Sequence, residues 1–154
     1  MAITALPLYS AIQTNQLYTV KYVGQYADPE NPLYLDVVHP GGVIPGTSDH
    51  NASLSATPCP IRFTQRGDAG NENQFRIRAA ETSKYLKLQT GKSWNPVFEN
   101  TTDEAWWFVN CAENEDATYT IAKSASGNDI YLAGNDADSY QAGKSVYCDK
   151  SEQA

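Results

Sequence analysis

One pattern recurs along this chain and limits its fold more than any other feature. An aromatic residue followed two positions later by an aliphatic one occurs at Tyr18-Thr19-Val20, Phe75-Arg76-Ile77 and Tyr119-Thr120-Ile121. A second apolar stretch follows each: Leu33-Tyr34-Leu35, Tyr85-Leu86 and Ile130-Tyr131-Leu132. A third comes at Leu54 to Ala56, Pro96 to Phe98 and Ser145 to Tyr147, and a fourth at Ile61-Arg62-Phe63 and Trp106-Trp107-Phe108. The copies recur at roughly 45 residues, and the first carries an insertion mostly between Val38 and Ser53. Self-similarity at such a period means one small unit that cannot bury its own apolar face and must share a core with its copies.

Each unit reads as strands. The apolar runs are short and alternating, and clusters such as Ala27-Asp28-Pro29-Glu30-Asn31-Pro32 and Gly41-Gly42-Val43-Ile44-Pro45-Gly46 break them. No helical periodicity persists over three turns, and ten tyrosines suit pleated, half-buried surfaces. Three copies of four strands predict an all-β chain with the β-trefoil architecture. It forms a single domain over residues 1–154, with repeats at about 17–70, 71–115 and 116–154. The third copy lacks its fourth strand. Ile3 precedes Tyr18 by about the interval that separates Ile61 from Phe75 and Trp106 from Tyr119. Residues 1–10 are therefore predicted to complete the third repeat. Ile3 to Leu8 would run antiparallel to the strand around Tyr18 through a hairpin at Gln13-Thr14-Asn15-Gln16, so that no edge is left unpaired. Repeated phase also predicts that Trp106, Phe108, Tyr34, Tyr85 and Tyr131 fill the core, with Trp107 facing the other way.

Charge narrows the partners. Eighteen acidic residues against eleven basic ones leave a net charge of −7, a field that repels nucleic acid and anionic membranes. No apolar run approaches the roughly 20 residues of a membrane helix. The first residues lack the basic and long apolar regions of a secretory signal, so a cytoplasmic location is expected. Cys59, Cys111 and Cys148 form no CxxC and no Cys/His cluster, and all three are expected to be reduced thiols.

At the end of the second repeat, Asp103-Glu104-Ala105-Trp106 approximates an Asn-Gln-x-Trp pattern. In this, and in its repeat arithmetic, the chain resembles the ricin-B-type and fungal β-trefoil families. Those families include lectins, mycocypin protease inhibitors and the lectin-like light subunit of mushroom tyrosinase. The motif is incomplete elsewhere: Pro60 precedes Ile61 in the first copy, and no Trp follows Gln153 in the third. The resemblance implies a non-enzymatic binding protein whose partner is either a saccharide or another protein.

The residues themselves lead to the same classes. His39 and His50 are the only histidines and both lie in the first-copy insertion, with no nucleophile and base arrangement around them. No catalytic residue, metal ligand or cofactor is assigned. Asn135-Asp136-Ala137-Asp138 lacks the length, spaced glycine and closing Glu of a calcium loop. Sugar binding needs an aromatic face for the apolar side of the ring, with carboxylates or amides for its hydroxyls. Two regions supply both: Trp94, Asn95 and Asp103 in the second copy, and Asp129, Asn135, Asp136 and Tyr140 in the third.

Overall fold

The structure is a computed structural model and describes residues 12–24, 27–37, 50–57, 59–80, 84–88, 95–103, 105–111, 118–125, 128–133 and 147–149. Among these there are eleven strands and no helix. The first repeat supplies β1 (Leu17–Tyr18), β2 (Tyr34–Val37), β3 (His50–Ser55) and β4 (Ile61–Gln65). The second supplies β5 (Gln74–Ala79), β6 (Tyr85–Leu88), β7 (Pro96–Glu99) and β8 (Trp107–Cys111), and the third β9 (Tyr119–Ala125), β10 (Asn128–Ala133) and β11 (Tyr147–Asp149).

All the ladders are antiparallel, and they repeat. β1 pairs β4, β4 pairs β5, β5 pairs β8 and β8 pairs β9. The second and third strands of each copy form a hairpin: β2 with β3, β6 with β7, β10 with β11. Their registers coincide, since Tyr34 faces Ser55, Tyr85 faces Glu99 and Tyr131 faces Asp149. The same tyrosines face Lys21, Arg78 and Ala122 on the other side. The separations between the three tyrosines, read from the sequence, are therefore those of equivalently paired residues. A further ladder, β3 with β7, joins the first two hairpins. Among the described residues no ladder joins β9 back to β1, so the sheet is open there. The expected strand at Ile3 to Leu8 lies outside the described residues.

Alternation sets which face is buried. In β5, Phe75, Ile77 and Ala79 point inward while Gln74, Arg76 and Arg78 point outward. Burying one face of a ladder fixes its register, because a one-residue slip would move every apolar side chain into water. The buried faces of all three copies share one core, with Leu35, Leu54 and Ile61 from the first, Phe75, Leu86 and Trp107 from the second, and Ile121 and Ile130 from the third. Tyr18, Phe63 and Phe75, on β1, β4 and β5, meet edge to face at centroid distances of 5.9 and 6.1 Å, the arrangement the ring quadrupoles favour. The predicted turn before β1 is present. Asn15 takes a positive φ of 64° there, and its N–H donates to the Phe63 carbonyl at 3.0 Å. Between β4 and β5, Gly70 has φ 85°, a backbone state that a side chain would strain even in open space.

Two core expectations are corrected. β8 is out of phase with the sequence reading: Trp107 is 0% exposed and Val109 is buried, whereas Phe108 is 36% exposed and Trp106 only half-buried. Phe75 is paired with Trp107, so Trp107, not Trp106, shares the inner face. Equivalent residues of β4 and β8 are 46 positions apart, with Ile61 matching Trp107. Ile61 and Phe75 thus have Trp107 as equivalent and partner, one residue beyond Trp106, and that single step inverts the faces of β8. Tyr34, Tyr85 and Tyr131 are also not core residues. Each is half-buried, while Leu35, Leu86 and Ile130 beside them are buried. A residue repeated in phase has the same environment in each copy, and here that environment is the outer face.

Candidate functional site

The sequence-predicted site residues divide in two. Trp94, Asn135, Asp136 and Tyr140 lie outside the described residues. Asn95 is half-buried just before β7. Asp103 is exposed in the turn after β7, where its backbone N–H donates to the Thr101 hydroxyl oxygen at 3.1 Å. Asp129 is exposed on β10. β7 and β10 are not paired with each other, so Asp129 is on a different part of the sheet from Asn95 and Asp103. Asp129 does share a strand face with Tyr131, two residues on.

The arrangement that does come together is built on the three tyrosines. Residues directly opposite in an antiparallel ladder project on the same face. In the first copy this gives a strip Lys21, Tyr34, Ser55. In the second it gives Arg62, Arg78, Tyr85, Glu99. In the third it gives Phe108, Ala122, Tyr131. A half-buried phenol ring edged by charged or hydroxyl-bearing neighbours is an amphipathic surface, apolar across the ring and polar at its rim.

The electrostatics around β4 and β5 are unusual for so acidic a chain. All four arginines, Arg62, Arg66, Arg76 and Arg78, fall in one stretch. Arg66 is held by Asp68 at 3.0 Å and donates to the Gln74 side-chain oxygen at 3.1 Å. The Arg76 guanidinium lies 4.3 Å from the centre of the Trp106 ring, and that of Arg66 5.4 Å, a cation–π arrangement that anchors the half-buried indole. Arg62 donates to the Asn15 carbonyl. Asn73 donates to the side-chain oxygen of Asn110, which is exposed on the same face of β8 as Phe108, at 3.1 Å. Beside Tyr85, the buried Lys87 meets Glu99 at 3.4 Å. In the turn before β2, the Asn31 side-chain amide and then the Glu30 N–H hydrogen-bond the Asp28 carboxylate and hold its pKa below the ordinary value.

Sequence reasoning assigned the tyrosines to the core and passed over the arginines. The clustering of every arginine between 62 and 78 was the available signal, but only strand pairing sets Arg62 against Arg78. Among the described residues no three His, Cys, Asp or Glu side chains gather as a metal site would need, and no helix is long and apolar enough to cross a membrane. The Cys59 Sγ donates to the Pro60 carbonyl at 3.6 Å. Compared with family models, with curated proteins and with solved structures, the chain matches none.

Proposed function

We propose that this chain is a carbohydrate-binding protein of the lectin kind, without catalytic activity, built as a β-trefoil. One observation carries the reading: each repeat presents one half-buried tyrosine at the same ladder position on the outer face. A pyranose offers an apolar face to such a ring and hydroxyls to the polar groups at its rim. The trefoil reading is supported by the recurring pairing scheme, in which the first strand of a copy pairs its fourth and the middle two form a hairpin. On this reading Tyr131 and Asp129 belong to the third-copy site, which the chain continues toward Asn135, Asp136 and Tyr140.

A glycan array tests it. The parent protein should retain a defined set of glycans. Tyr34→Ala, Tyr85→Ala and Tyr131→Ala should each lower retention while leaving the melting temperature within a few degrees. Glycan retention that survives all three substitutions together, or no retention by the parent, would overturn it.

A second reading, a protein-binding module, is favoured by the exposed Phe108 beside Trp106 and the arginines. Aromatic residues and arginine are the types enriched at protein interfaces. Co-purification of one defined protein, lost on Phe108→Ser, would favour this reading over the first.

A further inference from the structure

The three repeats carry the same tyrosine but different neighbours, and the difference is electrostatic. In the second copy Arg62 stands directly opposite Arg78, and Arg78 stands directly opposite Tyr85. Like charges directly opposite each other destabilise a ladder, so this pair has an unfavourable term in the free protein that an anion would reverse. Arg62 uses one N–H on the Asn15 carbonyl. Arg78 has no ion pair and no side-chain hydrogen bond among the described residues. The carboxylate of the strip, Glu99, is matched by Lys87 at 3.4 Å and leaves the two guanidinium groups uncompensated. The corresponding strip of the third copy has Phe108 and Ala122 where the second has Arg62 and Arg78, with Asp129 on the same strand face as Tyr131. The first copy has a single cation, Lys21, opposite Tyr34.

We propose that the second-copy strip is a subsite for an acidic saccharide, with the sugar ring on Tyr85 and its carboxylate or sulfate held by Arg78 and Arg62. The inference rests on the reading of the chain as a saccharide binder. The guanidinium fork matches both oxyanions with two parallel hydrogen bonds. The ligand is a sugar with one or two oxyanions and not an extended polyanion. The segment 62–78 sets four arginines against Asp68 and Glu72, so the rest of the chain is more acidic than the whole and repels a strand that runs past the patch. The third-copy strip, by the same logic, prefers neutral sugars.

Calorimetric titration of the full chain tests this with three disaccharides of one backbone: neutral, uronate-bearing and sulfate-bearing. The acidic pair should bind more tightly than the neutral one, and their affinity should fall several-fold from about 50 to about 500 mM salt. Whichever acidic sugar binds more tightly identifies the oxyanion. Arg78→Gln should weaken acidic binding about tenfold or more, and Arg78→Lys less. Having both Arg78 variants guards against one that fails to fold. Neutral and acidic sugars bound alike, with Arg78→Gln indistinguishable from the parent, would overturn the inference and leave the saccharide reading intact. No binding of any of the three, or of any glycan on the array, would overturn both. Binding of an acidic peptide that is lost in Arg78→Gln, with no sugar bound, would assign the face to a protein partner instead.

Discussion

The indole N–H of Trp107 donates to the carbonyl oxygen of Leu86 at 2.8 Å, and both side chains are fully buried. β8 and β6 each pair with β5, so this bond ties together two strands that have no ladder between them. It also gives the largest core side chain a partner for its polar atom, without which burial would be costly. Trp107→Ala should lower stability by about 3–5 kcal/mol, the usual range for a large buried aromatic. Trp107→Phe keeps most of the apolar volume but removes the donor, and should cost about 1–3 kcal/mol. Urea unfolding followed by tyrosine fluorescence and circular dichroism measures both. A Trp107→Ala protein as stable as the parent would contradict the assignment of Trp107 to the core.

Trp106 should behave differently, although it is the adjacent residue. It is half-buried on the outer face with Arg76 4.3 Å from its ring centre. A double-mutant cycle of Trp106→Ala and Arg76→Ala should give a coupling of about 0.5–2 kcal/mol. Each substitution should cost clearly less than Trp107→Ala. A coupling of zero would mean the two side chains do not interact in solution.

The contrast between these neighbours shows what could be read from the residues alone. The repeat was legible because Tyr-Leu recurs as Tyr34-Leu35, Tyr85-Leu86 and Tyr131-Leu132, and the hairpins pair those residues in one register. The parity of β8 was not, because Trp106-Trp107-Phe108 is apolar at every position and offers no alternation to say which face is inward. The phase of the tyrosines was right and their burial wrong, since recurrence reports equivalence and not depth. Of the candidate site, Asp129 could be placed from its strand. The Arg62, Arg78 and Tyr85 strip joins three strands, and no periodicity within one strand reveals it.

The turn before β2 predicts a pH effect of definite sign. Hydrogen bonds from Asn31 and from the Glu30 N–H favour the ionised Asp28 carboxylate and depress its pKa in the folded protein. A depressed acid stabilises the fold above its unfolded pKa, and that contribution is lost as pH falls through the folded value. In an NMR titration Asp28 should therefore ionise below the ordinary aspartate range, and Asn31→Ala should move it back up. An Asp28 titration that Asn31→Ala leaves unchanged would sink this assignment.

Lys87 and Glu99 allow a test of how the second hairpin is held. The Lys87 side chain is 8% exposed and that of Glu99 25%, with Nζ and Oε2 3.4 Å apart. The lysine sits on β6 and the glutamate on β7, joined by the ladder that sets Lys87 opposite Val97 and Tyr85 opposite Glu99. Taking an ammonium out of water is expensive, and its partner recovers part of that cost. Removing the glutamate alone leaves a buried charge with no counter-ion. Glu99→Leu should therefore destabilise by about 3 kcal/mol, near the lower end of the range for a broken buried pair, because Glu99 keeps some contact with water. Lys87→Met leaves a partly exposed carboxylate that water can solvate, and should cost less. The double variant, Lys87→Met with Glu99→Leu, replaces both ions with apolar side chains and should recover most of the loss, ending close to the parent. Chemical denaturation of the four proteins under identical salt closes the cycle. If Glu99→Leu proves neutral, the ammonium reaches water in solution and the pair does not hold the hairpin. If the double variant is less stable than either single one, the ion pair stabilises β6 against β7 beyond what apolar packing can replace.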